Sequence, residues 1–270
     1  MKASKSVRYV ALFLLLSFSL SASGCSTLKP NDYEQYGYHG TSAVQKGKRI
    51  LPVDIIGNIF GVFEKLILWN WKVERHNITA DTQQAIDAYL KERGQNLGNV
   101  DIELNRYAPQ DEFKRLFHNK GVKWPYRYTL GLLSVLIIET LLVGRIFGGD
   151  HYNPFTHTVH LYSDLPSVAL HELGHANDFS RRRYRGSYAL FGIVPFVDLY
   201  QEWQATHETF DYVRAEKRRS TEIEAYKILY PAYGTYVGTY IGSPIIGAIV
   251  GHIWGRIKAH RLEKSTTASA

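Results

Sequence analysis

The stretch Val168–Asp178 reads VALHELGHAND and contains His171, Glu172 and His175 in the order HExxH. On an α-helix, residues four positions apart project from one face, so both imidazoles can reach one Zn²⁺ ion at the roughly 2.0–2.1 Å that a Zn–N bond requires. Glu172 lies beside them, where it can act as a general base toward a water on the metal. The spacing therefore predicts a helix that carries a zinc site.

The residues around the motif favour this helix. Pro166 suits its first turn, and we expect Asp164 to cap its N-terminus. Gly174, between the two histidines, leaves room for a neighbouring chain close to the ligands. Val168 and the uncharged residues inside the motif resemble the extended zincin consensus, from which Asn177 departs.

A catalytic zinc ion typically has three protein ligands, so a third must come from elsewhere in the chain. The metzincin extension HExxHxxGxxH is absent, because Asp178 and Arg181 stand where its Gly and third His would be. An aspzincin would need a downstream GTxxD-like segment, and GTYVG at Gly234–Gly238 holds no Asp. The chain therefore resembles a gluzincin, in which the third ligand is a Glu on a later helix.

The resemblance leaves several candidates for that third ligand. We choose Glu202, which lies 27 residues after His175. Ala205, one turn after it, is small enough to allow its helix to pack closely on the HExxH helix. The alternatives are Glu224 and, in the same segment as Glu202, His207 and Glu208.

The segment THTVHLYS, residues 156–163, is predicted to be a strand that leads directly into the HExxH helix. In zincins an edge strand beside this helix pairs with an extended substrate, and we expect this segment to serve that role. His157 and His160 are three apart, so on a strand they face opposite sides, and at most one can face the metal. We expect both at the surface. The chain has too many tyrosines for sequence alone to choose one that steadies an oxyanion.

These features predict an α+β, zincin-like fold, in which an edge strand precedes the HExxH helix and a helical C-terminal lobe follows. The segment 50–71 has apolar residues at helical spacing and is expected to pack on the core, with the membrane surface as the alternative. Thr129–Val143 is too short to span a bilayer and is expected to be a buried helix. Elsewhere the patterns predict a helix ending near Arg93, a strand in Asn99–Tyr107 and a short helix near residues 110–117.

Leu229–Trp254 contains no Asp, Glu, Lys or Arg. Its glycines recur about every fourth residue from Gly234 to Gly255, which resembles a glycine zipper and lets another helix approach closely. Pro231 and Pro244 would each interrupt a helix. A membrane or homo-oligomer contact and a buried hairpin are equally open interpretations.

The N-terminus has the pattern of an export signal. Three basic residues precede the apolar stretch Tyr9–Leu20, and small residues lead to Cys25. The sequence ASGC resembles the bacterial lipobox, which implies cleavage before Cys25 and attachment of lipid to its sulfur. Ser26, in place of Asp, implies sorting to the outer membrane, facing the periplasm.

Composition excludes several classes of protein. The 270 residues are 45% hydrophobic and 21% charged, typical of a globular chain. The net charge is +7, and three of those charges lie in the first 24 residues, so the rest is too weakly basic to indicate nucleic acid. A single cysteine allows no intramolecular disulfide and no Cys-based zinc finger, so any metal site must use His, Asp or Glu.

Taken together, the chain resembles a bacterial lipoprotein with a gluzincin-like zinc metallopeptidase domain, over about Asp150–Tyr236. The resemblance implies a membrane-anchored hydrolase that cleaves peptides or proteins. The alternatives are an assembly lipoprotein with a non-catalytic metal and zinc-dependent hydrolysis of other amides, such as those of the cell wall. The predicted regions are a signal peptide (1–24), a tether (25–49), an N-terminal lobe (50–128), the metallopeptidase core (129–228) and the glycine-rich segment with a basic tail (229–270).

Overall fold

The HExxH helix is the central helix of the fold. A computed structural model describes residues 42–142 and 144–267, so the predicted signal peptide and Cys25 lie outside the described residues. Within them the chain is α+β, as expected, with many helices around a small sheet. Of the 15 residues of the HExxH helix 12 are buried, because helices cover it on several sides and the sheet lies beneath it.

The sheet has four short strands, arranged in the order β1-β2-β4-β3. The first three strands in this order are parallel, and β3 is antiparallel to β4. Every residue of β2 and β4 is buried, so these two strands form the floor of the core. The strands are β1 (Ala43–Lys46), β2 (Asp101–Leu104), β3 (His151–Asn153) and β4 (Thr158–Leu161).

Two expectations for the sheet are wrong. The strand that leads into the HExxH helix is β4, which lies inside the sheet between β2 and β3 and is therefore not an edge strand. The edge position beside it belongs to β3. In addition, β1 lies within the stretch expected to be a tether, where Val44 pairs with Ile102 of β2.

Nine helices of seven residues or more surround the sheet in the described part of the chain. They are α1 (Leu51–Phe60), α2 (Val62–Leu68), α3 (Ala80–Arg93), α4 (Pro109–His118), α5 (Pro166–Ser180), α6 (Arg185–Phe191), α7 (Val197–Ala215), α8 (Arg219–Tyr240) and α9 (Pro244–Thr267). The predicted α3, β2 and α4 all form.

Residues 124–140, here called the π-rich arm, run as successive short α-helical and π-helical turns. These turns are Trp124–Tyr126, Arg127–Gly131, Leu132–Ser134 and Val135–Thr140, and a further π-helical turn follows at Gly144–Gly148. The expectation of a buried helix here is wrong for most side chains. Leu133, Leu136 and Leu141 are exposed, whereas the charged Glu139 is buried.

Helices α1 and α2 likewise expose apolar side chains and bury charged ones. Ile59 and Phe63 are exposed, while Asp54 and Lys65 are buried, so the expectation that this segment packs its apolar face on the core is wrong. The buried charges have partners. Asp54 forms an ion pair with Arg145, and the Lys65 ammonium donates to two backbone carbonyls. The polar stripe therefore faces inward and the apolar stripe faces outward.

The N-terminus of α5 is held differently from the expectation. Its N-cap residue is Leu165, and Asp164 does not cap it. The Asp164 carboxylate instead accepts hydrogen bonds from the backbone and hydroxyl of Thr79 at the start of α3. The amide of Ser167 in the first turn of α5 donates to Glu224 of α8, which satisfies one of the free amides of that turn.

The glycine-rich segment forms a helical hairpin, α8 and α9, with its turn at residues 241–243. Pro244 begins α9 instead of interrupting it, while Pro231 lies inside α8. Gly234 and Gly247 meet backbone to backbone, and a Cβ on either would overlap the other chain segment. The glycine ridge is therefore filled within the chain. Over residues 42–142 and 144–267, no helix combines the length and apolar character needed to cross a membrane.

Candidate metal centre

Helices α5 and α7 bring His171, His175 and Glu202 together. The His171 Nε2 lies 3.1 Å from Glu202 Oε2, and the His175 Nε2 lies 3.4 Å from Glu202 Oε1. One ligand atom from each of the three lies within 4.8 Å of the others. Around a zinc ion with bonds of about 2.0–2.1 Å, tetrahedral ligands are separated by about 3.4 Å. The donor atoms are thus spaced, and chemically suited, to hold one metal ion.

Two small residues allow this approach of α5 to α7. Gly174 lies against the backbone of Ala205, and a Cβ added to Gly174 would be 2.6 Å from the Ala205 carbonyl oxygen. Since Gly174 lies between the two histidines and Ala205 lies one turn after Glu202, this contact sets the distance between the three donor side chains.

We expect Gly174→Ala to destabilise the protein and to weaken metal binding. The new methyl group meets backbone atoms that cannot rotate away, and such overpacking costs about 1–3 kcal/mol. It also moves Glu202 away from the histidines. Thermal unfolding and a zinc competition titration measure the two effects.

Gly94→Ala is the matched control for this substitution. The nearest atom to a Cβ at Gly94 is 3.7 Å away, an ordinary contact, and its backbone is helical. The control is expected to leave both quantities nearly unchanged. A Gly174→Ala protein with wild-type stability and zinc affinity would contradict the proposed role of this contact.

Glu172 is buried, and it lines the same cleft as His171 and Glu202. Burial raises the pKa of its carboxyl group above the ordinary value, His175 and His171 oppose that rise, and the negative charges of Glu202 and Asp150 add to it. Glu172 is adjacent to His171 in the sequence and lies outside the cluster of three donors. It is therefore free to handle a proton instead of ligating.

His175 and Glu202 form a largely buried ion pair. Burial lowers the pKa of His175, but the carboxylates of Glu202, Glu172 and Asp178 together outweigh this effect and raise that pKa to about 9. The imidazoles in turn hold the pKa of Glu202 well below its ordinary value, although burial acts in the opposite direction. The carboxylate is thus kept ionised, which is the form that binds a metal.

A cleft with a volume of about 290 Å³ opens next to these residues. Helices α2, α5, α7 and α8 line it, together with the turn Gly149–Asp150 that precedes β3. His171, Glu172 and Glu202 all contribute to its wall. A small molecule or an extended segment of chain can therefore reach both the metal cluster and Glu172.

Tyr236 also lines this cleft and was not selected from the sequence. The Glu202 charge, followed by burial, raises the pKa of Tyr236 well above the ordinary value. The phenol thus stays protonated at neutral pH. The glycine-rich character of α8 gave no signal that would single out this tyrosine among 19.

The alternative third ligands have other partners. Glu224 accepts the Ser167 amide at the start of α5, and Glu208 pairs with Tyr89 and Arg93. His207 is exposed and pairs with Asp211 on its own helix. None of these three candidates belongs to the cluster formed by the two motif histidines in the described structure.

The expectation that His157 and His160 lie at the surface is wrong, because both are buried. His157 contacts the Tyr152 hydroxyl, and its other ring nitrogen donates to the Leu97 carbonyl. His160 faces three glutamates, Glu103, Glu112 and Glu139. Neither histidine is part of the cluster around the HExxH motif.

The chain was also compared with known proteins. No family model, curated protein or solved structure matches it. The geometry of the site is therefore the basis for the functional conclusion.

Proposed function

We propose that this protein is a zinc-dependent metallopeptidase of gluzincin-like design, attached to a membrane of the cell envelope. One observation carries the proposal. Helices α5 and α7 place His171, His175 and Glu202 within reach of one metal ion, and Glu172 lies beside them in the wall of an open cleft. Three protein ligands and an accessible cleft are typical of catalytic zinc sites, whereas structural sites are closed by four ligands.

The chemistry follows from the roles of these side chains. A Zn²⁺ ion held by His171, His175 and Glu202 would polarise a peptide carbonyl and lower the pKa of a water toward about 7. Glu172 accepts the proton of the attacking water and returns it to the departing amine. Burial places the pKa of Glu172 above that of a free carboxyl group, which suits a group that must both take and give a proton.

Tyr236 is the residue best placed to assist at the carbonyl oxygen. The Glu202 charge acts on its hydroxyl, and its side chain lines the same cleft as Glu172. A protonated phenol donates a hydrogen bond to an oxygen on which negative charge develops. We assign it that supporting role in the reaction.

A peptide is the substrate class that suits this cleft. The strand β3 pairs only with β4 in the described sheet, so no strand occupies its other side there. The turn Gly149–Asp150 connects that strand to the cleft wall. An extended peptide can add to such an edge through main-chain hydrogen bonds, which favours peptide over other amide substrates.

The outer surface of the fold supports attachment to a membrane. Side chains on α1, α2 and α9 that a core would normally bury are exposed, and Phe63 is 75% exposed. The helices adjoin, because His252 of α9 donates a hydrogen bond to the Ile67 carbonyl and stacks on Trp69 at 4.0 Å between ring centroids. A large exposed apolar patch typically marks a surface that binds another protein or a membrane. A lipid on Cys25 would hold this face near the bilayer.

We expect Cys25→Ala to abolish lipid labelling of the protein. Cys25 is the only cysteine and follows a lipobox-like ASG, so no other thiol can receive the lipid. Incorporation of an alkyne palmitate analogue in growing cells measures this directly. The neighbouring Ser26→Ala substitution is the control and should retain the label. Undiminished labelling of the Cys25→Ala chain would overturn the lipoprotein assignment.

The experiment that tests the peptidase assignment is hydrolysis of an internally quenched peptide library by the detergent-extracted full chain. Removal of metal with a chelator should stop hydrolysis, and zinc alone should restore it. If the zinc-loaded protein cleaves no peptide in the library, the assignment to peptide substrates is wrong. Cleavage that persists without metal would overturn the zinc mechanism itself.

A further inference from the structure

A second cluster of potential metal ligands lies where the π-rich arm meets the sheet. It consists of Glu139 from the last turn of the arm, His151 from β3 and His160 from β4. One ligand atom from each lies within 4.8 Å of the other two. Glu139 and His160 are almost completely buried, and His151 is largely covered. The proposed catalytic mechanism uses none of these side chains.

The spacing in this cluster matches that of ligands on one ion. The His151 Nε2 is 3.0 Å from Glu139 Oε1, and the His160 Nε2 is 3.4 Å from Glu139 Oε2. These distances equal, within a few tenths of an ångström, those between ligand atoms around a divalent metal with bonds near 2.1 Å. Two imidazoles and a carboxylate form a donor set that first-row transition metals prefer.

Neighbouring groups hold the two imidazoles in the way that hydrogen-bond partners of metal-ligating histidines do. The His151 Nδ1 lies 3.0 Å from the Gly149 carbonyl oxygen, which can only accept a hydrogen bond, so Nδ1 donates to it. The other ring nitrogen, Nε2, then faces Glu139. The His160 Nδ1 faces Glu103, a carboxylate that is itself paired with Arg106. An imidazole that ligates a metal usually directs its other nitrogen at a carbonyl or carboxylate in this way.

Unsatisfied polar atoms in this cluster are a second, independent sign of a ligand. The His160 Nε2 and the Glu112 Oε2 are buried and have no hydrogen-bond partner among the described residues. They lie 3.7 Å apart, and the other Glu112 oxygen accepts from the Thr158 hydroxyl. Buried polar atoms in native proteins are normally satisfied, so an orphaned pair of this kind needs an explanation.

A small cavity adjoins these atoms. Its volume is about 10 Å³, and Glu103, Glu112, Glu139 and His160 are among the residues that line it. This is about the space of one water molecule or one ion. The guanidinium groups of Arg106 and Arg145 line it as well, where they pair with Glu103 and Asp54, and His151 is not part of this lining.

We propose that Glu139, His151 and His160 bind a second divalent transition-metal ion. Glu112, whose Oε2 lies 3.7 Å from the His160 Nε2, is outside this group of three and would have to shift to become a fourth ligand. The ion would be structural, because the cluster is buried and joins three separate elements. It would tie the π-rich arm to β3 and β4. Since Asp150 precedes His151 and lines the catalytic cleft, this tie also fixes one wall of that cleft.

The competing explanation is a closed network of charges without metal. Three glutamates in and around the cluster can be balanced by protonated His151, protonated His160 and Arg106. Such a network would bind no zinc. The two explanations therefore differ in the number of zinc ions that the protein holds when the HExxH centre is removed.

The experiment measures bound zinc per chain by atomic emission. The detergent-extracted full chain is stripped with a chelator, reloaded with zinc alone and freed of excess metal. We expect about two equivalents in the wild type and about one in the His171→Ala/His175→Ala chain. Adding His151→Gln to that double variant should remove the remaining equivalent. His207→Ala, which changes an exposed histidine outside both clusters, should keep about two equivalents.

Two results would overturn the proposal. One is a folded His171→Ala/His175→Ala protein, judged by circular dichroism, that holds no zinc. The other is a His151→Gln chain that binds as much zinc as the wild type, which decides against this cluster even if the double variant does not fold. These outcomes are independent of peptidase activity, so failure of the proposed function would not mask them.

Discussion

Glu202→Ala is expected to remove zinc from the HExxH centre and to abolish hydrolysis. The Glu202 carboxylate faces both motif histidines at 3.1 and 3.4 Å and is kept ionised by them. Loss of a residue that merely supports a ligand already costs roughly 10- to 100-fold in metal affinity, and loss of the ligand itself should exceed that. Competition with a chromophoric chelator, in a His151→Gln background that leaves the HExxH centre alone, measures the change.

Glu224→Gln is the matched control for that experiment. Glu224 is the other strong candidate from the sequence, but in the structure it accepts the Ser167 amide at the start of α5. Weakening this hydrogen bond should cost about 1 kcal/mol of stability and leave zinc affinity within a few-fold of wild type. The reverse pattern, with zinc lost from the Glu224 variant and retained by the Glu202 variant, would mean that Glu224 is the third ligand.

The sequence carried enough information to predict the helix of the HExxH motif and to select Glu202. The helix prediction depends on local spacing, whereas the choice of Glu202 depends on the gluzincin resemblance and on the small residue Ala205 one turn after it. Histidines four apart share a helix face, and the small residues Gly174 and Ala205 indicated a close helix crossing that the structure contains. Local spacing and residue size are visible in one chain, and no pairing over a long distance was needed to propose them.

The sheet was harder to predict because the strands at its two edges, β1 and β3, are very short. The strand β3 has only three residues, HYN, which form no recognisable alternating pattern. If β3 is not recognised in the sequence, β4 is taken for an edge strand. In the structure β4 pairs with β2 on one side and with β3 on the other. The strand β1, with four residues, was missed for the same reason.

The orientation of α1 and α2 was not predictable from periodicity. Helical spacing of apolar residues shows that a stripe exists but not which side of the helix the protein buries. Here the buried side is polar because Asp54 meets Arg145, 91 positions later in the chain. A partner so distant cannot be inferred from one sequence.

The burial of His160 has a similar cause. Its neighbours Glu103, Glu112 and Glu139 come from β2, α4 and the π-rich arm, and only the folded chain brings them together. Taken alone, a histidine on a predicted strand is most simply interpreted as a surface residue. The group of Glu139, His151 and His160 is for this reason visible in the structure and not in the sequence.

Glu172→Gln is expected to leave the fold and the bound zinc unchanged and to remove nearly all hydrolysis. Gln has the size and hydrogen-bonding reach of Glu but cannot accept a proton. Glu172 lies in the cleft wall next to His171 and outside the cluster of donors, so its replacement removes no ligand. A general base contributes on the order of 10²- to 10⁴-fold, and turnover should fall by at least that range.

A second variant separates the role of Glu172 from a general effect on the cleft. Glu64 also lines the cleft, on the wall formed by α2, and carries a carboxyl group whose pKa burial raises. Glu64→Gln changes the same kind of side chain at a position outside the metal cluster. Its turnover should stay within about one order of magnitude of wild type, because the proposed mechanism gives it no proton to transfer.

The most direct measurement of the central claim is the turnover of a quenched peptide library by the wild type and by Glu172→Gln at matched zinc content. The full chain is used for both, with unfolding temperature and zinc per chain determined on the same samples. The account predicts hydrolysis by the zinc-loaded wild type and at least a roughly 100-fold lower rate for the variant. Equal rates for the two proteins would contradict it and would indicate that the metal at His171, His175 and Glu202 is not catalytic.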